Sequence, residues 1–307
     1  VTGEGWLGIG KPGPYELRLK SEGISLLSLA APGRYGVTGG TLQLDISGRG
    51  TLENPRLTGD LLLTSLTVNR EPHKDVFVHL QLAEGRVSIL GESTFGFDGT
   101  YDFEGEGLDL HAIFKDTELE PYFRIAGRPE LHGVITGDAV LSGSVRSMRD
   151  MDLDLSVAQV DILLREDRVL SGSDLTLGYH DRRLNIPSSR LKLLEKGSMD
   201  VRAVTDRKGS LDLAAQGLLP LEILPLLLPD LENLTETLRF DLNLRGPMGI
   251  PALTGDLYLE DAAYYLSYND QVVHDVNGHV SLEGSRAVIR DLSGMVDTGT
   301  FTAGGEV

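Results

Sequence analysis

The 307-residue chain has no cysteine, which excludes a disulfide framework and any Cys-ligated metal site. That absence fixes no compartment. Aromatics are scarce, at 6% of residues with a single Trp, against 37 glycines. This balance favours many strands and turns over a helical bundle. Basic residues are also short: 28 Lys and Arg face 46 Asp and Glu, giving a net charge of −18. Such a surface keeps an apolar-rich chain soluble and disfavours nucleic acid. It also disfavours broad adsorption to an anionic membrane face.

No signal peptide and no long apolar run is visible. The longest, Leu218–Leu231, is broken by Pro220, Glu222, Pro225, Pro229 and Asp230, and is too short to cross ~30 Å of hydrocarbon. It reads as a short, Pro-interrupted amphipathic helix that caps an apolar interior or meets a lipid or partner. The chain begins at Val1 and stops at Val307 inside a strand-like pattern. It therefore reads as a piece of a longer protein, with any membrane anchor outside it.

Catalytic and metal constellations are missing too. The seven histidines lack the i, i+4 spacing of a zinc helix and read as surface or turn residues. Asp150, Asp152 and Asp154 resemble a calcium run. Alternation puts them on a wet strand face, without the glycine and Glu of a calcium loop. Gly5, Gly8, Gly10 and Gly13 lead into Pro12 and Pro14, not a helix start, so loop or strand end is preferred to phosphate binding. No Gly-x-Ser-x-Gly elbow occurs. Asn233-Leu-Thr235 reads as a turn and not as a used glycosylation sequon. The expectation is not an enzyme, with no metal and no cofactor.

What is present is a repeat. TLQLDISGRGTLENPRLTGDLLL (41–63) aligns without a gap with TLRFDLNLRGPMGIPALTGDLYL (237–259), 196 residues on. A degraded third copy is GDAVLSGSVRSMRDMDLDLSV (137–157). Each is an alternating strand, a Gly-rich break and a second strand. Short helical turns at 24–33 and before the later copies precede them. Approximate units are 17–110, 111–210 and 211–307 of one elongated β region spanning 1–307; internal repeats of this length stack as quasi-one-dimensional arrays.

Alternation runs through all three units, so one face is apolar and one wet. Connections are mostly too short for crossover helices, which makes the sheet antiparallel. About twenty strands ~4.8 Å apart would run roughly 90 Å, and a sheet that long must curl or close. The apolar-face candidates are Leu42, Leu44, Leu61, Leu63, Val78, Leu80, Phe95, Phe97 and Leu110 in the first unit. Leu153, Leu155, Leu175 and Leu177 follow in the second, and Leu213, Phe240, Leu242, Leu257, Leu259 and Leu282 in the third. Periodicity alone leaves two readings open: a closed core, or an apolar groove.

The repeated Gly-x-Leu-Glu-Asn-Pro-x-Leu-x-Gly-Asp-Leu element resembles the TamB family, translocation and assembly module subunits of the AsmA-like superfamily. So do the Leu-Pro-Leu-Glu-Ile-Leu segment at 219–224 and the Leu292-Ser-Gly-Met-Val-x-x-Gly-Thr-Phe301 ending. The resemblance implies a taco-like trough with an apolar interior. It implies a periplasmic protein whose parent is anchored in the inner membrane of a diderm bacterium and carries phospholipids toward the outer membrane. It also implies a TamA-like, Omp85-type barrel as partner of the parent, in outer-membrane protein assembly. The alternative is a closed scaffold acting with such a barrel. The fragment itself is expected to be monomeric and to bind no nucleic acid.

Overall fold

The alternating segments fold as antiparallel strands, twenty among the described residues, joined in one sheet. The computed structural model describes residues 1–9, 13–29, 37–147, 150–164, 166–224, 234–247, 249–266 and 271–306. The chain divides into two units, Val1–Ser156 and Val157–Val307.

The first unit holds β1 (Thr2–Leu7), β2 (Pro14–Ser25), β3 (Val37–Thr51), β4 (Pro55–Val68), the two-residue β5 (Glu71–Pro72), β6 (Val76–Ala83), β7 (Arg86–Glu92), β8 (Gly96–Asp102), β9 (Gly107–Glu118) and β10 (Leu131–Ser144). Helix α1 (Leu26–Leu29) follows β2, and α2 (Glu120–Ile125) follows β9. Strand β11 (Asp152–Leu164) runs across the division. The second unit holds β12 (Asp167–His180), β13 (Arg183–Leu193), β14 (Gly197–Thr205), β15 (Ser210–Pro220), β16 (Thr235–Pro247), β17 (Ala252–Leu266), β18 (Gln271–Glu283), β19 (Arg286–Val296) and β20 (Gly299–Glu306). A 3₁₀ turn, Leu221–Ile223, follows β15.

Each strand pairs with its sequence neighbour, as in β2–β3, β3–β4 and β6–β7 of the first unit and β14–β15, β15–β16 and β16–β17 of the second. Tight turns enforce this. Glu84-Gly85, Asn69-Arg70 and Asp181-Arg182 all have positive φ at both positions, the requirement of a type I′ hairpin whose twist matches the strands it joins.

The repeat is visible as one hairpin built twice. Leu44 faces Leu61 across β3–β4, and Phe240 faces Leu257 across β16–β17. Asp45 faces Asp60, and Asp241 faces Asp256, in the same register. Bulges recur as well. Asp116 and Asp261 sit at register shifts with φ of 45° and 51°. The N–H of each donates to a side chain on the strand opposite, Thr136 Oγ1 at 3.1 Å and Asn277 Oδ1 at 3.1 Å. Two residues then oppose one, which bends the strand and increases its twist.

Three expectations change at element ends. Residues 2–7 form a strand, because Gly3 and Gly5 lie directly under Leu19 and Leu17 of β2 where larger side chains would collide. Ile24 and Ser25 complete β2, and 26–29 form one helical turn. Leu218–Pro220 belong to β15, whose register with β16 continues to Pro220 opposite Thr237. Prolines are tolerated at such a strand end. The rest of that expected helix beyond Leu224, and Asn233 of the sequon, lie outside the described residues.

Among the described residues, the strands whose backbones approach most closely are hydrogen-bonded neighbours. Few side chains are fully buried. Among those described, the buried apolar side chains are Tyr15, Met151, Val157, Leu193, Ala203, Pro220, Leu221, Phe240 and Ala262. The chain exposes 19047 Å² of surface, against roughly 12,600 Å² for a compact monomer of its 33.3 kDa mass.

Candidate functional site: the apolar face

Antiparallel partners point to the same side of a sheet, so the registers assemble apolar files from residues far apart in sequence. In the first unit one file runs Leu44, Leu61, Val78, Gly91, Phe97, Ala112, Ala139 across β3 to β10. The next runs Ile46, Gly59, Leu80, Ile89, Gly99, Leu110, Leu141. Leu42 and Leu63 face each other in a third. Phe95 precedes β8 and packs its ring against Phe97 and Phe114, with centroids 6.0 Å and 5.3 Å apart. Leu153 and Leu155 lie on β11 between buried Met151 and Val157.

In the second unit a file runs Met199, Gly217, Phe240, Leu257, Val280, Ile289, Gly305 across β14 to β20. Beside it Leu242 faces Gly255, which faces Leu282. Leu213 pairs with Ala203 and Leu244, and Leu259 with Leu238 and Gly278. Leu175 and Leu177 follow Asp174, whose φ is 54°. Gly172 on the same strand lies against both Leu175 and Leu191, so that kink keeps the two leucines on the file's side.

The glycines within these files take part in the packing. A Cβ on Gly91 would lie 2.1 Å from the Phe97 ring, and one on Gly255, at φ +139°, 2.0 Å from the Asp241 carbonyl. Their absence lets a neighbouring side chain lie flat across the strand and keeps the floor shallow. Glycine at an apolar position of an alternating strand was the available signal for this; high glycine content had pointed to turns.

Of the nineteen candidates, Phe240 is buried and the others are half-buried. An apolar cavity of about 420 Å³ lies on this face in the second unit. Leu221 of the helical turn and Leu224 just after it line this cavity together with Leu238, Leu257, Leu259 and Val280. Its thirteen lining residues are all Leu, Val, Ala, Tyr or Phe.

The other face is charged, and here the sequence reading missed something. Histidines read as isolated surface residues meet carboxylates across strands. His79 Nδ1 lies 2.7 Å from Asp60, His111 Nδ1 3.3 Å from Asp98, and His279 Nε2 2.6 Å from Asp256. Hydrogen bonds from His279 and then from Ser281 hold the Asp256 carboxyl below the usual carboxylate range. The Asp297 carbonyl, then Asp275, raise the His274 imidazole above its ordinary value. Among the described residues no three His, Asp or Glu side chains converge on a metal position, and no helix is long and apolar enough to cross a membrane.

Comparison with protein-family models, curated proteins and solved structures finds no match to this chain.

Proposed function

We propose that the apolar face is a groove that shields the acyl chains of phospholipids. The observation that carries this is half-burial. Apolar files seven strands wide lie on one side of the sheet, yet nearly every candidate residue remains partly open. A closed core would have dried them. Burying one methylene is worth ~0.8 kcal/mol, so a whole acyl chain in water costs on the order of 10 kcal/mol. A groove lined by apolar side chains and glycine offsets that cost without a specific pocket, and a uniform lining lets the chain move on. With the TamB resemblance, this becomes a bridge-like conduit in a periplasm, part of an inner-membrane-anchored parent that works with a TamA-like, Omp85-type barrel.

The test uses photo-crosslinking residues at Leu63, Leu80, Leu155 and Leu257 in a strain with labelled phospholipid. Lipid adducts are expected at each. A charged substitution at any of these sites should leave the protein folded, because water can reach the group, and should abolish adducts beyond it. Wild-type adduct yield past the charge, in folded variants, sinks the conduit. Absence of any adduct, with no phospholipid in native mass spectra, favours a scaffold that docks by strand pairing. For that reading the relevant feature is β20, which pairs with β19 and is largely exposed.

A further inference from the structure

We infer that the charged face of the first unit carries a phosphate-class anion site between Arg49 and Arg56. This does not rest on the groove reading. Arg49 on β3 and Arg56 on β4 are direct cross-strand partners. Like charges placed directly opposite destabilise a sheet, and among the described residues neither guanidinium has an ion-pair partner. In a chain of net charge −18 the shortage of carboxylates cannot be the reason.

Glu16 is the cross-strand partner of Arg49, but its carboxylate accepts a 3.1 Å hydrogen bond from Trp6 Nε1. Arg18 is occupied by Asp45 at 3.8 Å. Arg56 is held at its backbone: the buried Tyr15 hydroxyl donates to the Arg56 carbonyl and accepts from its N–H, both at 3.1 Å. The two arginines line a cleft of about 1010 Å³ together with Trp6, Glu4, Glu16 and Glu84.

The second copy of the hairpin shows that the fold does not need this pair. Arg245, at the position of Arg49, binds Asp212 at 3.2 Å, and its cross-strand partner, at the position of Arg56, is Ala252. One copy neutralises its arginine internally and drops the other. The first copy keeps two planar, five-donor cations facing one opening, a geometry that suits bidentate binding of phosphate oxygens. The ligand is a phosphate monoester or diester; a free phosphate and a lipid headgroup present the same oxygens.

The chain's only tryptophan, Trp6, lies in the cleft and reports on it. Inorganic phosphate, glycerol 3-phosphate and monomeric dihexanoyl phosphatidylglycerol are titrated at constant ionic strength in chloride, following Trp6 emission and melting temperature. Saturable responses are expected. Arg49→Gln and Arg56→Ala should each weaken them about tenfold or more, the worth of one charge-assisted hydrogen-bond set. Without ligand, both variants should melt at or above the wild-type temperature, because a repulsion is removed; Arg56→Ala copies the residue that the second hairpin already carries. If the short-chain lipid binds about tenfold tighter than glycerol 3-phosphate, the headgroup of a lipid is the source, since an apolar contact then adds to the ionic one; equal affinities assign free phosphate. No saturable response in the wild type, an equal response to chloride, or an unchanged response in the variants overturns the site, and none of these outcomes bears on lipid adducts in the groove.

Discussion

The hairpins β3–β4 and β16–β17 share a register and differ by face. On the apolar side they are interchangeable: Leu44 and Leu61 in one, Phe240 and Leu257 in the other, with Gly59 and Gly255 beside them. On the charged side they have diverged. Asp60 of the first copy meets His79, in an exposed pair. Asp256 of the second meets His279 and the buried Ser281, which also accepts from Arg290. Tyr258 stacks on that histidine at 4.5 Å, and Arg239 sits 4.4 Å above the tyrosine ring. The apolar pattern is thus what the repeat preserves, and the charged face is where each copy acquires its own chemistry.

The largest expected break in this comparison is at Phe240, which is buried where its counterpart Leu44 is half-buried. Phe240→Ala should cost about 3 kcal/mol, the lower end for a buried phenylalanine because only one side of the sheet is packed; Leu44→Ala at the equivalent half-buried position should cost about half of that. Urea denaturation of both variants measures the difference, and equal costs would mean that the two faces are equally packed.

Next is Gly91→Val. The new side chain must displace the Phe97 ring, so overpacking of about 1–3 kcal/mol is expected, together with a lower yield of lipid adduct at neighbouring Leu80. Calorimetry and crosslinking check the two parts separately.

Smaller effects come from the charged face. Asp256 titrates below an ordinary carboxylate when folded. Its contribution is therefore complete above the unfolded carboxyl pKa, about 3.9, and is lost as pH falls through the lower folded value. Asp256→Asn should flatten the acid limb of the stability–pH curve. For Asp60→Asn, at the exposed copy, a smaller change is expected, since exposed pairs contribute little.

The smallest effect is expected at His274, whose folded pKa is raised. Its contribution is present below the ordinary imidazole value and lost as pH rises through the folded one. Imidazole NMR titration of folded and urea-unfolded protein should show that displacement, and His274→Gln should remove only this shallow alkaline slope.

Strand positions were legible because alternation is local: Leu42, Leu44 and Ile46 on one side, Gln43, Asp45 and Ser47 on the other, is a statement about six consecutive residues. The duplicated hairpin was legible for the same reason. The His–Asp pairs were not, because His79 reaches Asp60 only once the register of β4 with β6 is set. The bulges were hidden too. Asp116 and Asp261 adopt positive φ without being glycine, held there by Thr136 and Asn277 from the neighbouring strand. Whether the leucine files close into a core or stay half-open depends on what packs above them, and no residue's own pattern records that.

The pairing of each strand with its sequence neighbour has a kinetic consequence. Most large β-structures wait for distant segments to meet, which makes them slow and exposes unpaired edges meanwhile. Here a strand such as β7 needs only β6, already made, and β8, the next to be made. Within each unit the sheet can therefore grow one hairpin at a time as the chain leaves the ribosome, and the growing edge is always the strand most recently made.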